Sequence, residues 1–213
     1  MKSVAVAVLL LCLVAGCGGP ATLSQSAASP AATKHYSDAE AGVSFDYPDY
    51  LQLQPVQRET VEQGGGSVTT SVTYGASQNP PVGIGLRVAE GHQVQGYYPG
   101  AYPPTDSLLR DFVSAEIRNV NAGTVVEREN AALAGGREAE IGTVDGHPAA
   151  LFTASVRETG GTTYIRGAVL MTETKALSLM VLGAVVPNTQ GYVQPELIDQ
   201  LWSQIIESLQ VDE

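Results

Sequence analysis

A thiol, three imidazoles and a set of tyrosines are the side chains in this chain whose type and spacing could do chemistry. Cys17 follows the small residues Ala15 and Gly16 and an apolar run from Val4 to Leu13, with Lys2 ahead of it. A cysteine thiol is a nucleophile that can be acylated or oxidised, and its setting decides which. Here the setting is that of a secretory leader: a basic residue, a short apolar run, small residues, then a site for cleavage. The run is too short to span a bilayer core of about 30 Å as a helix. Cys12 competes for the same chemistry, but the bulky Leu11 before it suits neither modification nor cleavage. Cleavage before Cys17 removes Cys12, and acylation consumes the thiol of Cys17. The folded part then has no thiol, which excludes disulfides, thiolate catalysis and cysteine-based metal sites there.

The remaining candidates are scattered. His35, His92 and His147 lack the short spacings of a zinc site, and His147 follows Asp145-Gly146, where an exposed turn histidine is expected. No Gly-x-Ser-x-Gly elbow and no Asp-x-Asp-x-Asp-Gly calcium loop occurs, and Gly64-Gly65-Gly66 is followed by no lysine. No residue set names a catalytic, cofactor-binding or metal site. Tyr97, Tyr98 and Tyr102 stand apart, set among glycines and prolines between Gly91 and Pro104. Tyrosine offers a large contact area with one polar tip, which makes these three the candidate partner contacts. The alternative is that the rings fold back to cover the core.

Leu13-Val14-Ala15-Gly16-Cys17 resembles the lipobox of bacterial lipoproteins, with Val14 where leucine is most frequent. That resemblance implies a diacylglycerol on the Cys17 thiol, palmitate-type acyl chains, and attachment to the extracytoplasmic side of a membrane of the cell envelope. It divides the chain into a leader over residues 1–16, a lipidated cysteine and linker over 17–34, and a globular domain over 35–213. Gly18 to Lys34 is Ala, Ser, Gly, Pro, Thr and Gln with little apolar bulk, so it is expected to be a tether about 23 Å long on average.

Net charge is −11, and losing Lys2 leaves ten cations against the 22 carboxylates, −12. So acidic a surface repels phosphate backbones and anionic headgroups, which argues against nucleic-acid binding and leaves membrane attachment to the acyl chains.

Positioning falls to an α+β domain. Gly42–Pro48 alternates and stops at proline, and Leu51–Leu53 continues it. Ser67–Tyr74 and Val82–Ala89 read as strands, with the three glycines as a hairpin loop before the first. Pro103-Pro104 and the capping residues Thr105, Asp106 and Ser107 predict a helix from about Ser107 to Val120. A short extended piece is expected near Thr124–Val126. Strands over 139–144, 149–156, 162–171 and 176–186 form a meander, turned at Asp145-Gly146, Gly160-Gly161 and Glu173–Lys175. Leu177–Leu182 is apolar on both faces, so both faces of the sheet are expected to be covered. Pro195 opens a terminal helix that buries Leu201, Trp202 and Ile205. Glu116 falls in the apolar arc of the first helix, so it meets an arginine or backbone donor of the sheet, or the helix end frays.

Three segments resemble PsbP-like domains: Ala41–Pro48 with its Gly-x-Ser-Phe-x-Tyr-Pro pattern, Val144–Ala149 with Gly-x-x-Ala, and Ile205–Leu209 with Ile-x-x-Ser-Leu. The resemblance spans Tyr36 to Val211 and implies an antiparallel sheet sandwiched by helices, an α/β/α layout. Characterised members of that family act by binding proteins or assisting assemblies, and no family-wide catalytic motif exists to carry over. The function implied is a non-catalytic protein-binding or assembly module with an envelope protein as partner. A small-ligand-binding lipoprotein is the alternative, and a hydrolase with an unrecognised site is the lesser one.

Overall fold

A computed structural model describes residues 32–63, 66–78, 80–91, 102–122, 139–158, 161–185 and 195–212. The leader, Cys17, most of the linker, His92, Tyr97, Tyr98 and the piece near Thr124–Val126 lie outside the described residues. Eleven strands and two helices are described. They are β1 Thr33–Asp38, β2 Val43–Pro48, β3 Gln52–Leu53, β4 Gln57–Gln63, β5 Gly66–Gln78, β6 Pro81–Gly91, α1 Asp106–Ala122, β7 Glu140–Val144, β8 His147–Glu158, β9 Gly161–Met171, β10 Lys175–Val185, α2 Pro195–Ser208 and β11 Gln210–Val211.

The strands form two antiparallel sheets. Eight make the larger one, in the order β3-β5-β6-β10-β9-β8-β7, with β4 also on β5. Three make the smaller, β1-β2-β11. The layout is α+β and dominated by sheet.

Alternation along the strands sorts the core into two clusters, as a pleat with period two requires. Val82, Ile84, Leu86 and Val88 of β6 join Leu177, Leu179 and Val181 of β10, where they meet Ile198, Leu201 and Ile205 of α2 and Val43 and Phe45 of β2. Phe152, Ile165, Val169 and Met171 meet Leu109, Phe112, Val113 and Ile117 of α1 instead. Trp202, 9% exposed, is core as expected. Helices alone do not cover the sheet, because the three-stranded sheet shares one cluster with α2. Gly167 is a packing device: a Cβ there would meet the Phe152 ring at 2.3 Å, so the ring lies flat across the strand.

Three elements depart from the reading of the sequence. β4 forms from the polar run Gln57–Gln63, which carries no strand signature. The terminal helix ends at Ser208, one residue early, and Gln210–Val211 pairs with Ser44 and Val43 of β2. β1 starts at Thr33, two residues inside the stretch read as linker.

Candidate functional site

Tyr102 is the one proposed contact tyrosine that is described, and it is 41% exposed. It sits just ahead of α1, whose start is held by Thr105. The Thr105 Oγ1 accepts from the Leu108 amide at 3.3 Å, and its carbonyl accepts from the Leu109 amide at 3.1 Å. A capped helix end gives the tyrosine a fixed base.

Glu116 meets the sheet and does not fray. Its side chain is 5% exposed. Oε1 accepts from Arg87 Nη1 of β6 at 2.8 Å, and Oε2 accepts from Ser178 Oγ of β10 at 3.0 Å. Both carboxylate oxygens are therefore paired, as burial of a charge demands. Burial pushes the nearby Tyr74 phenol above its usual value; Arg87 draws it back and Glu116 adds to the rise. Arg87 is 44% exposed, so the site offers the solvent a cation that a buried carboxylate holds in place. That is a tether between α1 and the sheet, with no reacting pair beside it.

An open cleft of about 470 Å³ lies between α2 and the end of the sheet where β7 begins. Its lining combines Leu151, Phe152 and Trp202 with the polar Glu140, Thr153, Arg166, Asp199 and Ser203. Arg166 Nε donates to Asp199 Oδ1 at 2.6 Å and its Nη1 donates to Thr153 Oγ1. The guanidinium is thus committed to the protein itself. Serine and carboxylates gather here, and among the described residues no histidine lines the cleft. Among the described residues no three His, Cys, Asp or Glu side chains are grouped to hold a metal, and no helix is long and apolar enough to cross a membrane.

The two described histidines, His35 and His147, sit on different partners. His35 is exposed and lies 2.8 Å from Asp46 Oδ1. His147 corrects the expectation of an exposed turn residue: it is the first residue of β8, half-buried, and its Nε2 donates to the Val211 carbonyl at 3.3 Å. The neighbouring Asp145, in the left-handed region at φ 48°, accepts from the Val211 amide at 2.7 Å. The β7–β8 turn therefore grips β11 by both backbone groups. Lys175 Nζ donates to the next carbonyl, Asp212, and Asp212 N donates to Gly42 O at 2.8 Å. Gly42, at φ 61°, leaves room for that lysine; a Cβ would sit 2.5 Å from its Nζ. Ser208 Oγ accepts from the Asp46 amide at 2.9 Å.

All three segments that resemble PsbP-like domains meet around β11. They are β2, the β7–β8 turn and the end of α2, and together they close the fold. No family model matches the sequence, and no curated protein matches it. Among solved structures, cyanobacterial PsbP (CyanoP) from Synechocystis sp. PCC 6803 superposes with a TM-score of 0.51 at 13% identity, over 90% of this chain and 99% of that one. The fold is PsbP-like. At that identity the PsbP-like likeness concerns the fold alone. A structure from Bacteroides thetaiotaomicron (TM-score 0.42, 14% identity, 84% of this chain and 48% of that one) is more distant. So is the immunity protein TplEi of Pseudomonas aeruginosa (0.42, 12% identity, 68% and 45%).

Proposed function

We propose that this chain is a lipid-anchored lipoprotein of a bacterial cell envelope whose PsbP-like α/β/α domain binds or helps assemble another envelope protein without catalysing a reaction. Acylated Cys17 holds it to the extracytoplasmic side of a membrane, and the linker stands the domain off that surface. The observation that carries the binding role is Tyr102, exposed on a capped helix start at the end of the tyrosine- and proline-rich stretch. An exposed aromatic on a surface of net charge −11 is a recognition feature, since the charge keeps unrelated acidic surfaces away. The cleft beside α2 supports the small-ligand alternative less well, because its arginine is already paired and its lining is largely polar and open.

Crosslinking in native membranes, followed by identification of what co-purifies, tests the reading. Replacing Tyr97, Tyr98 and Tyr102 together by serine should weaken capture and leave the melting temperature nearly unchanged. A large fall in stability, with capture lost only as the protein unfolds, would show that the tyrosines serve the core.

A further inference from the structure

Strand β4 is an edge strand tied to the β1–β2 turn by one side chain, Arg58, which pairs with the buried Asp38 and with Glu40 at 3.2 Å. Its other described side chains, Gln57 and Glu59 to Glu62, are exposed, and Val61, 45% exposed, is one of two large apolar side chains left exposed among the described residues. Edge strands present unpaired backbone groups, and which groups face out follows from the register. Gln63 pairs with Gly66 across a two-residue connection, which makes them a hydrogen-bonded pair. Tyr74 of β5 points its carbonyl to the same side, accepting from Gln54 N at 2.7 Å. Both facts give one answer: Gln57, Glu59, Val61 and Gln63 turn their backbone groups toward β5, and Arg58, Thr60 and Glu62 turn theirs outward.

We propose that two copies of this chain pair antiparallel through β4, on a two-fold axis at Val61, to join their large sheets into one. In that register Thr60 and Glu62 of one copy exchange backbone hydrogen bonds with Glu62 and Thr60 of the other. Val61 faces Val61 as the close, non-hydrogen-bonded pair. Because Val61 already sits opposite Val68 of β5, the contact builds a row of four valines across the joint and covers the exposed side chain. Glu59 meets Gln63, so no like charges stand directly opposed. Centring on Arg58, Glu59 or Glu62 sets like charges face to face. Centring on Thr60 sets Glu62 opposite Arg58, which Asp38 and Glu40 already hold, and buries no valine pair because Val61 then meets Glu59. The same surface serves both copies, as a closed two-fold dimer requires.

The test uses the full-length protein purified in mild detergent, so it does not depend on the partner reading. Cysteine pairs facing each other at a non-hydrogen-bonded position are within disulfide reach. Val61→Cys should cross-link to itself under mild oxidation. Thr60→Cys and the remote exposed turn variant Glu173→Cys should stay at the background of the wild-type chain. Sedimentation should show a wild-type dimer and a Val61→Lys monomer of unchanged melting temperature. Cross-linking of Val61→Cys no greater than that of Glu173→Cys, stronger linking through Thr60→Cys, or a monomeric wild type would each overturn the proposal.

Discussion

Cutting the tether between α1 and the sheet should be costly in a way that separates pairing from burial. Glu116 and Arg87 approach to 2.8 Å, and unit charges about 4 Å apart attract by roughly 4 kcal/mol at an effective dielectric near 20. Arg87 is 44% exposed, so solvent screens the pair, and the desolvation of Glu116 offsets more. A coupling of about 2 kcal/mol remains. Arg87→Ala should cost more than that coupling, because it leaves a buried carboxylate held by Ser178 alone; about 3 kcal/mol is expected. For a domain of this size that lowers the melting temperature by roughly 6–12 °C. Glu116→Gln keeps the shape and loses the charge, and should cost about 1–2 kcal/mol. The double variant should be milder than the sum of the two, and thermal melts of all four proteins give the coupling directly. A coupling below about 0.5 kcal/mol would refute the claim that the carboxylate is buried because the arginine holds it.

Three shorter expectations follow from the same structure and sequence. Cys17→Ser should abolish labelling by a clickable palmitate analogue and release the protein from membranes; label that survives the change would sink the lipid assignment. Asp145→Ala removes the acceptor of the Val211 amide and places alanine at φ 48°, so it should cost about 1–3 kcal/mol and speed hydrogen exchange at Val211, which Asp145→Asn should largely avoid. Burial raises the phenols of Tyr36, Tyr50 and Tyr74, so their contribution to stability is whole below about pH 10 and is lost as pH climbs through the folded values. Melting temperature should therefore fall above that pH, and a triple change to phenylalanine should flatten the fall; an unchanged alkaline limb would contradict it.

What could be read in advance, and what could not, divides along physical lines. β8, β9 and β10 announce themselves because their residues are apolar, β-branched or small and their turns carry Asp-Gly and Gly-Gly. The pairing of Glu116 was foreseeable from helical phase, since a carboxylate between Phe112 and Val120 must either find a donor or escape. The identity of that donor was not, because Arg87 and Ser178 reach it only through the order of β6 and β10 in the sheet. β4 is invisible to pattern: an edge strand with no apolar buried face has nothing to impose alternation, and Gln57–Gln63 reads as loop. β11 is two residues long and exists because Val43 and Ser44 of β2 offer it an edge. His147 looked like a turn residue from the adjacent Asp-Gly, and only the passage of Val211 beside it makes it half-buried. Of the proposed contacts, Tyr102 alone is placed, and its exposure was one of the two outcomes the sequence allowed.

The grip on β11 also sets an order of events. Val43 of β2 lies near the start of the described chain, yet its partner Val211 follows 168 positions later. Until that segment emerges, one edge of β2 is open, the Asp145 turn has nothing to hold, and Lys175 lacks its carbonyl. The small sheet can close only after almost the whole described chain has appeared, so folding cannot keep pace with emergence from the N-terminal end. On the proposed route across a membrane, that delay holds back closure of the small sheet until the last residues are through.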